Sequence, residues 1–201
     1  SSIINGNGWL IRLESYSGPN WYVSENGSDE NDGSQHNPFA TIQHGIDMAS
    51  DEDTVFVNEG IYYENIIISG KYIILIGYNN ENTIINGNHN GPVVSVDDGI
   101  IDGFTITNGS ESGIKIANDG DPIISNVIIY GNSNEGYGGG IYAGEFSNSI
   151  IKNSLIHNNT SLHGGGIYAD YDSNIDVLST TVSYNTASVG SGIMVYNFAE
   201  M

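Results

Sequence analysis

The side chains of this sequence that could do chemistry are mostly acidic. Asp29, Asn31 and Asp32 lie within one short loop rich in Asp, Asn and Gly. Their oxygens are the ligands that calcium prefers, although the loop lacks the twelve-residue EF-hand pattern and its final Glu. A calcium site and a solvated turn are therefore both open for this loop. No cofactor is required by the sequence, and Ca²⁺ is the one that it suggests.

Basic side chains that could act in catalysis are few. Removal of a proton next to a uronate carboxylate needs a base, and it needs a cation or Arg that neutralises the carboxylate. Lys115 and Lys152 could face the same side of the molecule, but the register does not fix this. The sequence therefore leans against an enzyme and leaves a polysaccharide lyase-like activity as the alternative. The whole set of basic residues is Arg12, Lys71, Lys115 and Lys152.

Other polar groups form no constellation typical of hydrolysis. A glycoside hydrolase needs two carboxylates on one face, roughly 5–10 Å apart. Asp97, Asp98 and Asp102 could instead hold calcium, or could be ordinary turn carboxylates. His157 and His163 lie near repeated glycines, where a lone histidine is usually polar surface. No catalytic residue is predicted.

Tyr142 and Tyr168 are candidates for carbohydrate binding. Each follows an isoleucine that should point inward, so both tyrosines should point outward and stack on each other. Such a pair could form a shallow platform for a sugar. It could equally be a cross-strand aromatic ladder that stabilises a sheet.

The elements that position these residues repeat along the chain. Gly139–Tyr142 returns as Gly165–Tyr168, and Ile141, Ile167 and Ile193 are each 26 residues apart. A fixed period of this size indicates a solenoid, and short β-branched runs broken by Asn and Gly indicate strands. Matched asparagines could stack their amides into a ladder. Three further columns are Ile129, Ile156, Val182; Asn132, Asn159, Asn185; and Asn126, Asn153, Ser179.

These patterns predict a parallel β-helix over residues 19–201. With about 24 residues in each rung, the chain holds roughly six rungs at about 4.8 Å spacing. The composition of residues 19–38 predicts a polar linker with one short strand. Residues 39–50 are the single helix candidate, with Phe39, Ile42, Ile46 and Ala49 on one face. We expect this helix to cap the open end of the solenoid.

Residues 1–18 form a second, rung-like segment. Ser2–Asn7 matches Thr83–Asn88 in sequence, yet it precedes the expected cap. It could be a strand donated to a neighbouring copy, or the end of an upstream domain. Because a strong strand also lies near the C-terminus, a head-to-tail assembly is predicted. The residues assigned to this assembly are Ile3, Ile4, Trp9, Leu10, Ile11, Leu13, Ile193 and Val195.

Composition limits the possible partners. The formal charge of −20 repels nucleic acid, anionic lipid and anionic polysaccharide. No run of about eighteen apolar residues is present, so membrane insertion is not expected. The expected partners are a polysaccharide or a second copy of the chain.

Several motifs resemble the start of secreted bacterial proteins of the pectate-lyase-like superfamily. These are Tyr22–Ser24 with Asn26–Asp29, Pro38–Gln43, Gly60–Asn65 and Ile101–Ile106. The resemblance implies a right-handed parallel β-helix with an N-terminal helical cap, in an extracellular or cell-surface protein. It leaves two classes of function. One is a non-catalytic structural or adhesive protein that could self-assemble, and the other is a carbohydrate-active domain, either a lyase-like enzyme or a glycan-binding module.

Overall fold

The computed structural model describes residues 2–4, 10–12 and 19–196. Two strands near the N-terminus pair antiparallel with each other, with Ile3 opposite Ile11. A rung pairs in parallel with its neighbours, whereas these two strands are antiparallel to each other; the assignment of residues 1–18 to a rung-like segment stays a prediction. Trp9 and Leu13 lie outside the described residues. The N-terminal elements are β1 (Ser2–Ile4), β2 (Leu10–Arg12), β3 (Asn20–Val23) and α1 (Ile42–Met48).

The main body begins with three coils of three strands each. In every coil, one strand joins each of three parallel sheets, here called sheets I, II and III in the order in which the chain visits them. The first coil is β4 (Thr54–Val57), β5 (Gly60–Tyr62), β6 (Ile66–Ile68); the second is β7 (Ile73–Gly77), β8 (Thr83–Asn86), β9 (Val94–Val96); the third is β10 (Gly99–Asp102), β11 (Thr105–Thr107), β12 (Ile114–Ile116).

The last three described coils each gain a fourth strand. This strand lies between sheets II and III and forms sheet IV with its equivalents. The fourth coil is β13 (Ile123–Ser125), β14 (Ile128–Tyr130), β15 (Ser133–Tyr137), β16 (Ile141–Ala143); the fifth is β17 (Asn148–Lys152), β18 (Leu155–His157), β19 (Thr160–His163), β20 (Ile167–Ala169); the sixth is β21 (Asn174–Leu178), β22 (Thr181–Ser183), β23 (Thr186–Val189), β24 (Ile193–Val195).

The core is a stack of aliphatic columns, as the repeat predicts. Ile141 pairs with Ile167, and Ile167 with Ile193, in parallel register. The first two are fully buried and Ile193 is partly buried against them. Side chains alternate between the two faces of each strand, so the residue after each isoleucine points away from the core. The predicted β-helix of roughly six rungs is confirmed.

Buried asparagines form the predicted amide ladder at the turn after sheet II. Asn132 Nδ2 donates to Asn159 Oδ1, and Asn159 Nδ2 donates to Asn185 Oδ1, at 3.0 Å each. Each amide also donates to a backbone carbonyl of the coil before it. The buried polar atoms of the turn are thereby satisfied, and the coils are held in one register.

One end of the stack is capped by β3 and α1. β3 pairs in parallel with β4 and so belongs to sheet I, although a linker strand was expected there. Helix α1 packs on β3, β4 and β6 with Ile42 and Ile46 buried, and Phe39, which precedes the helix, is buried as well. The predicted helical cap is therefore correct. Within the described residues, no helix combines the length and the apolar character needed to cross a membrane.

Candidate binding groove

A groove runs along the outer surface of sheet III beside sheet IV. Along sheet III the outward register positions are occupied by Lys115, Tyr142, Tyr168 and Met194, one per coil. Tyr137, at the end of β15, lines the groove from sheet IV. We call this feature the tyrosine groove.

Glycines between sheets IV and III fix the shape of the groove. A Cβ atom on Gly140 would lie 2.5 Å from the carbonyl oxygen of Gly166 in the next coil, so a larger residue would push the coils apart. Gly164 has φ +63°, a left-handed conformation that suits glycine. The repeated glycines therefore let the chain turn tightly and bring the tyrosine after each isoleucine to the same height in its coil.

The tyrosines of sheet III stack along the axis. The rings of Tyr142 and Tyr168 have centroids 5.9 Å apart at an interplanar angle of 6°. Tyr196 continues the stack, 6.4 Å from Tyr168 at 22°. The predicted stacking is present, but Tyr168 is only 3% exposed. Tyr168 thus takes the expected outward register position but is covered there, and carbohydrate binding by this pair stays a prediction.

Tyr137 covers Tyr168 and was not among the residues expected in the site. Its ring lies 4.7 Å from that of Tyr168 and stacks on the His163 imidazole at 5.2 Å. Tyr137 keeps 47% of its surface exposed. The repeat contained a signal, because Tyr137, His163 and Val189 are 26 residues apart and each precedes the glycine turn. They are register partners in sheet IV.

Asp170 places a carboxylate at the edge of the groove. The Tyr142 hydroxyl donates to Asp170 Oδ2 at 2.5 Å, and the Tyr171 backbone N–H donates to Oδ1 at 2.8 Å. Burial, followed by the Asp170 carboxylate, raises the pKa of Tyr142 well above its usual value and that of Tyr168 to about 12. Both hydroxyls therefore stay protonated at neutral pH, and the Tyr142 hydroxyl uses its one hydrogen in the bond to Asp170.

Two cavities lie along the tyrosine groove, and both contact Tyr137. The first, about 240 Å³, is lined by Glu111, Lys115, Asn134, Tyr137 and Tyr142. The second, about 250 Å³, is lined by Tyr137, His163, Tyr168, Asp170, Met194 and Tyr196. The first is polar with charges of both signs. The described lining of the second is aromatic with one carboxylate, so the two cavities differ in their chemistry.

The two lysines considered as partners do not converge. Lys115 lies in β12 of sheet III, whereas Lys152 lies in β17 of sheet I. The expectation that they could share a side is therefore wrong, because different sheets present their outer faces in different directions. Lys71 is used structurally, since its ammonium donates to the Ile46 and Ala49 carbonyls at the end of α1.

The loop proposed for calcium is joined to the cap by hydrogen bonds. Asp29 accepts from the Ala40 and Thr41 backbone N–H groups and from the Thr41 hydroxyl. Asp32 accepts from the Ser34 N–H, and Asn31 Nδ2 donates to the Pro38 carbonyl. Each of the three side chains thus has a partner within the protein. Calcium binding here stays a prediction.

Asp97, Asp98 and Asp102 also take structural roles. Asp97 accepts from the Ser69 hydroxyl, Asp98 from the Asp121 N–H, and Asp102 from Ser125 and Asn126. Among the described residues, no three His, Asp or Glu side chains are grouped so that they could hold a metal ion.

The residues assigned to assembly are only partly described. Ile3 and Ile4 lie in β1, and Leu10 and Ile11 in β2. At the other end, Ile193 is partly buried and Val195 is 41% exposed. These positions leave the head-to-tail contact as a prediction.

The fold is a parallel β-helix, and sequence comparison assigns it to the right-handed kind. The model of the right-handed β-helix region matches residues 72–201, so the chain belongs to this family. The predicted resemblance to right-handed parallel β-helix proteins is confirmed, whereas secretion stays a prediction.

Individual similarities cover parts of other proteins. An uncharacterised protein of Bacillus subtilis strain 168, YwoF, is 40% identical over 79 residues, which are 37% of this chain and 17% of that protein. The structure of a pectin methylesterase from carrot superposes with a TM-score of 0.47 at 17% identity, covering 82% of this chain and 65% of that one. The chain thus spans less than two thirds of either protein.

Proposed function

We propose that this chain is a non-catalytic, extracellular adhesive β-helix domain that binds a glycan in the tyrosine groove. The observation that carries the proposal is the position of Tyr137, half exposed between two cavities. The electron-rich face of a tyrosine attracts the polarised C–H bonds of a sugar ring. Amide, carboxylate and hydroxyl groups beside it can exchange hydrogen bonds with sugar hydroxyls.

The charge of the chain narrows the class of glycan. A net charge of −20 repels a polyuronate over its whole length. Lys115 is a single cation, and Glu111 lines the same cavity. A neutral or amine-bearing glycan therefore fits the groove better than an anionic one.

A lyase-like enzyme is the alternative, and the arrangement of charge favours it less. Such an enzyme would need a base and a second positive group at one uronate. Lys115 and Lys152 lie on different sheets, so these two lysines cannot act at one sugar.

Titration calorimetry with a panel of soluble oligosaccharides tests the proposal. The panel contains neutral, amine-bearing and uronate-rich members. We expect binding of a neutral or amine-bearing member, weakened by about tenfold in Tyr137→Ala, since loss of one aromatic contact is worth about 1 kcal/mol or more. Tyr63→Ala, which removes a 67% exposed tyrosine elsewhere, is the control and should change nothing.

Two results would contradict the proposal. One is the absence of binding by every oligosaccharide in the panel. The other is equal weakening by Tyr137→Ala and Tyr63→Ala. New unsaturated ends formed from a polyuronate, detected by ultraviolet absorbance, would move the protein to the lyase class.

Self-assembly through the N-terminal segment is a separate part of the proposed adhesive role. The expected contact joins residues 1–14 of one copy to the last coil of another, and a heterologous contact of this kind propagates. Light scattering should show growth of the particle with concentration, and a variant lacking residues 1–14 should stay monomeric. Monomeric full-length protein at high concentration would contradict assembly without affecting glycan binding.

A further inference from the structure

The second cavity of the tyrosine groove has the composition of a cation site. Of the six described side chains that line it, four are aromatic, one is a thioether and one is a carboxylate. Lys115 lines the first cavity and is absent from this lining. We call this second cavity the aromatic pocket.

Aromatic rings and a thioether favour a particular type of cation. The negative face of a tyrosine attracts a positive charge most strongly when the cation is poorly hydrated, as an alkylated ammonium group is. Met194, in register with Tyr168, supplies a polarisable apolar contact for methyl or methylene groups. Among the described lining residues, a small, strongly hydrated metal ion would find only one carboxylate.

The negative charge of the pocket is fixed in place. Both oxygens of Asp170 accept hydrogen bonds, from the Tyr142 hydroxyl and from the Tyr171 N–H. The carboxylate is therefore held in a defined position. The net charge of −20 adds a long-range attraction for cations that ionic strength screens.

We propose that the aromatic pocket binds an organic ammonium group. The source of that group in a glycan is a protonated amino sugar or an ammonium substituent, so the inference rests on the proposed function and names the class of glycan. Asp170 neutralises the charge, and Tyr137 and Tyr196, both about half exposed, contact the carbon atoms around the nitrogen.

Choline and its neutral isostere 3,3-dimethylbutan-1-ol test the pocket directly. They have nearly the same shape and differ in charge. Calorimetry or NMR titration should show that choline binds and that the isostere binds at least about tenfold more weakly, since the isostere lacks the charge that makes the cation–π contact. Equal binding of the two would show an apolar pocket, and no binding of choline would also overturn the inference.

Matched variants assign the effect to this pocket. Asp170→Asn should weaken choline binding about tenfold, and Tyr196→Leu should weaken it similarly. Asp176→Asn removes the same charge from an exposed position of β21 on sheet I and should leave choline binding nearly unchanged. An equal effect of Asp170→Asn and Asp176→Asn would mean that only the total charge matters. Circular dichroism of each variant confirms that it is folded.

Glucosamine oligomers and their N-acetylated counterparts distinguish the source of the cation. The inference predicts preference for the free amine, lost in Asp170→Asn. If both oligomers bind equally and both weaken in Tyr137→Ala, the proposed function stands and the amine preference is overturned. If choline binds but no oligomer does, the ammonium pocket stands and the glycan function fails.

Discussion

Every polar atom of the buried Asn159 side chain takes part in hydrogen bonds. It is 0% exposed, its amide donates to the Ile129 carbonyl and to Asn185, and its Oδ1 accepts from the side chain and backbone of Asn132. A buried polar group that loses its partners costs roughly 1–3 kcal/mol. The stability that each amide in this ladder contributes therefore depends on its hydrogen bonds to the coils before and after it.

Replacing Asn159 by Asp should destabilise the protein strongly. The substitution turns a donor into a second acceptor that faces two oxygens, so we expect a loss of about 3 kcal/mol or more at neutral pH. Protonation of the new carboxyl restores one donor, and the loss should shrink as the pH falls. Urea unfolding of Asn159→Asp and of the exposed Asn174→Asp measures this, and equal losses in the two would contradict it.

Ile167→Ala should cost about 2–5 kcal/mol, because it truncates a fully buried side chain within a stacked column. Ile67→Ala, at a strand position 58% exposed, is the matched control. We expect the control to change the free energy of unfolding by less than about 0.5 kcal/mol. Similar values for the two variants would mean that the assigned inward face is wrong.

Helix α1 owes its position to carboxylates from elsewhere in the chain. Glu64 accepts from the Ile42 and Gln43 N–H groups, and Asp29 accepts from those of Ala40 and Thr41. Burial raises the pKa of Glu64, an effect that these hydrogen bonds only partly offset. Burial also raises the pKa of Asp29, but the hydrogen bonds from Thr41 and Ala40 outweigh it and lower the pKa below 3.8.

The two carboxylates therefore respond to pH with opposite signs. A lowered pKa in the folded state means that Asp29 stabilises the fold above pH 3.8 and that this stability is lost as the pH falls through its folded pKa. A raised pKa means that ionised Glu64 carries a penalty, which appears as the pH rises above 4.5 and through its folded pKa.

Asp29→Ala should lower the free energy of unfolding by about 1–2 kcal/mol at neutral pH, through lost hydrogen bonds to a charged group. The difference from the parent protein should shrink as the pH falls below 3.8. Urea unfolding at several pH values measures it, with Glu30→Gln in the same loop as the control. A difference that does not vary with pH would contradict the capping role of the charge.

At the scale of strands, the sequence predicted the elements made of isoleucine and valine. The column of Ile141, Ile167 and Ile193 in sheet III followed from the 26-residue period. Sheet IV was missed, because Ser133–Tyr137 is polar and carries glycine, which gives no strand signal by composition. The position of its strands is determined by the strands of sheets II and III that they connect, rather than by the strand preference of their own residues.

The candidate groove was predictable only in part, for a similar reason. The period places Tyr142 and Tyr168 in one column, so their stacking follows from sequence. That Tyr137 folds over Tyr168 depends on the angle between sheets III and IV, which no local pattern reveals. The separation of Lys115 from Lys152 likewise depends on which sheet receives each strand.

At the scale of the whole molecule, net charge opposes compaction. With a charge of −20, salt should raise the melting temperature by screening repulsion. For the predicted site at Asp29–Asp32, calcium should give a further rise over sodium chloride at matched ionic strength, and EDTA should reverse it. Equal midpoints would contradict the calcium site and leave the screening effect intact.

Parallel stacking in one register also bears on how such a chain can change in evolution. Each coil touches only the coils before and after it, and stability is then roughly additive over repeats. An in-frame duplication of 26 residues, such as Ile141 to Gly166, would insert a coil whose glycines, asparagine and tyrosine meet equivalents on both sides. The groove would lengthen by one tyrosine without any substitution in the existing coils. The number of coils would then set the length of ligand that the groove can hold, and it could change in evolution without any change in the side chains that contact the ligand.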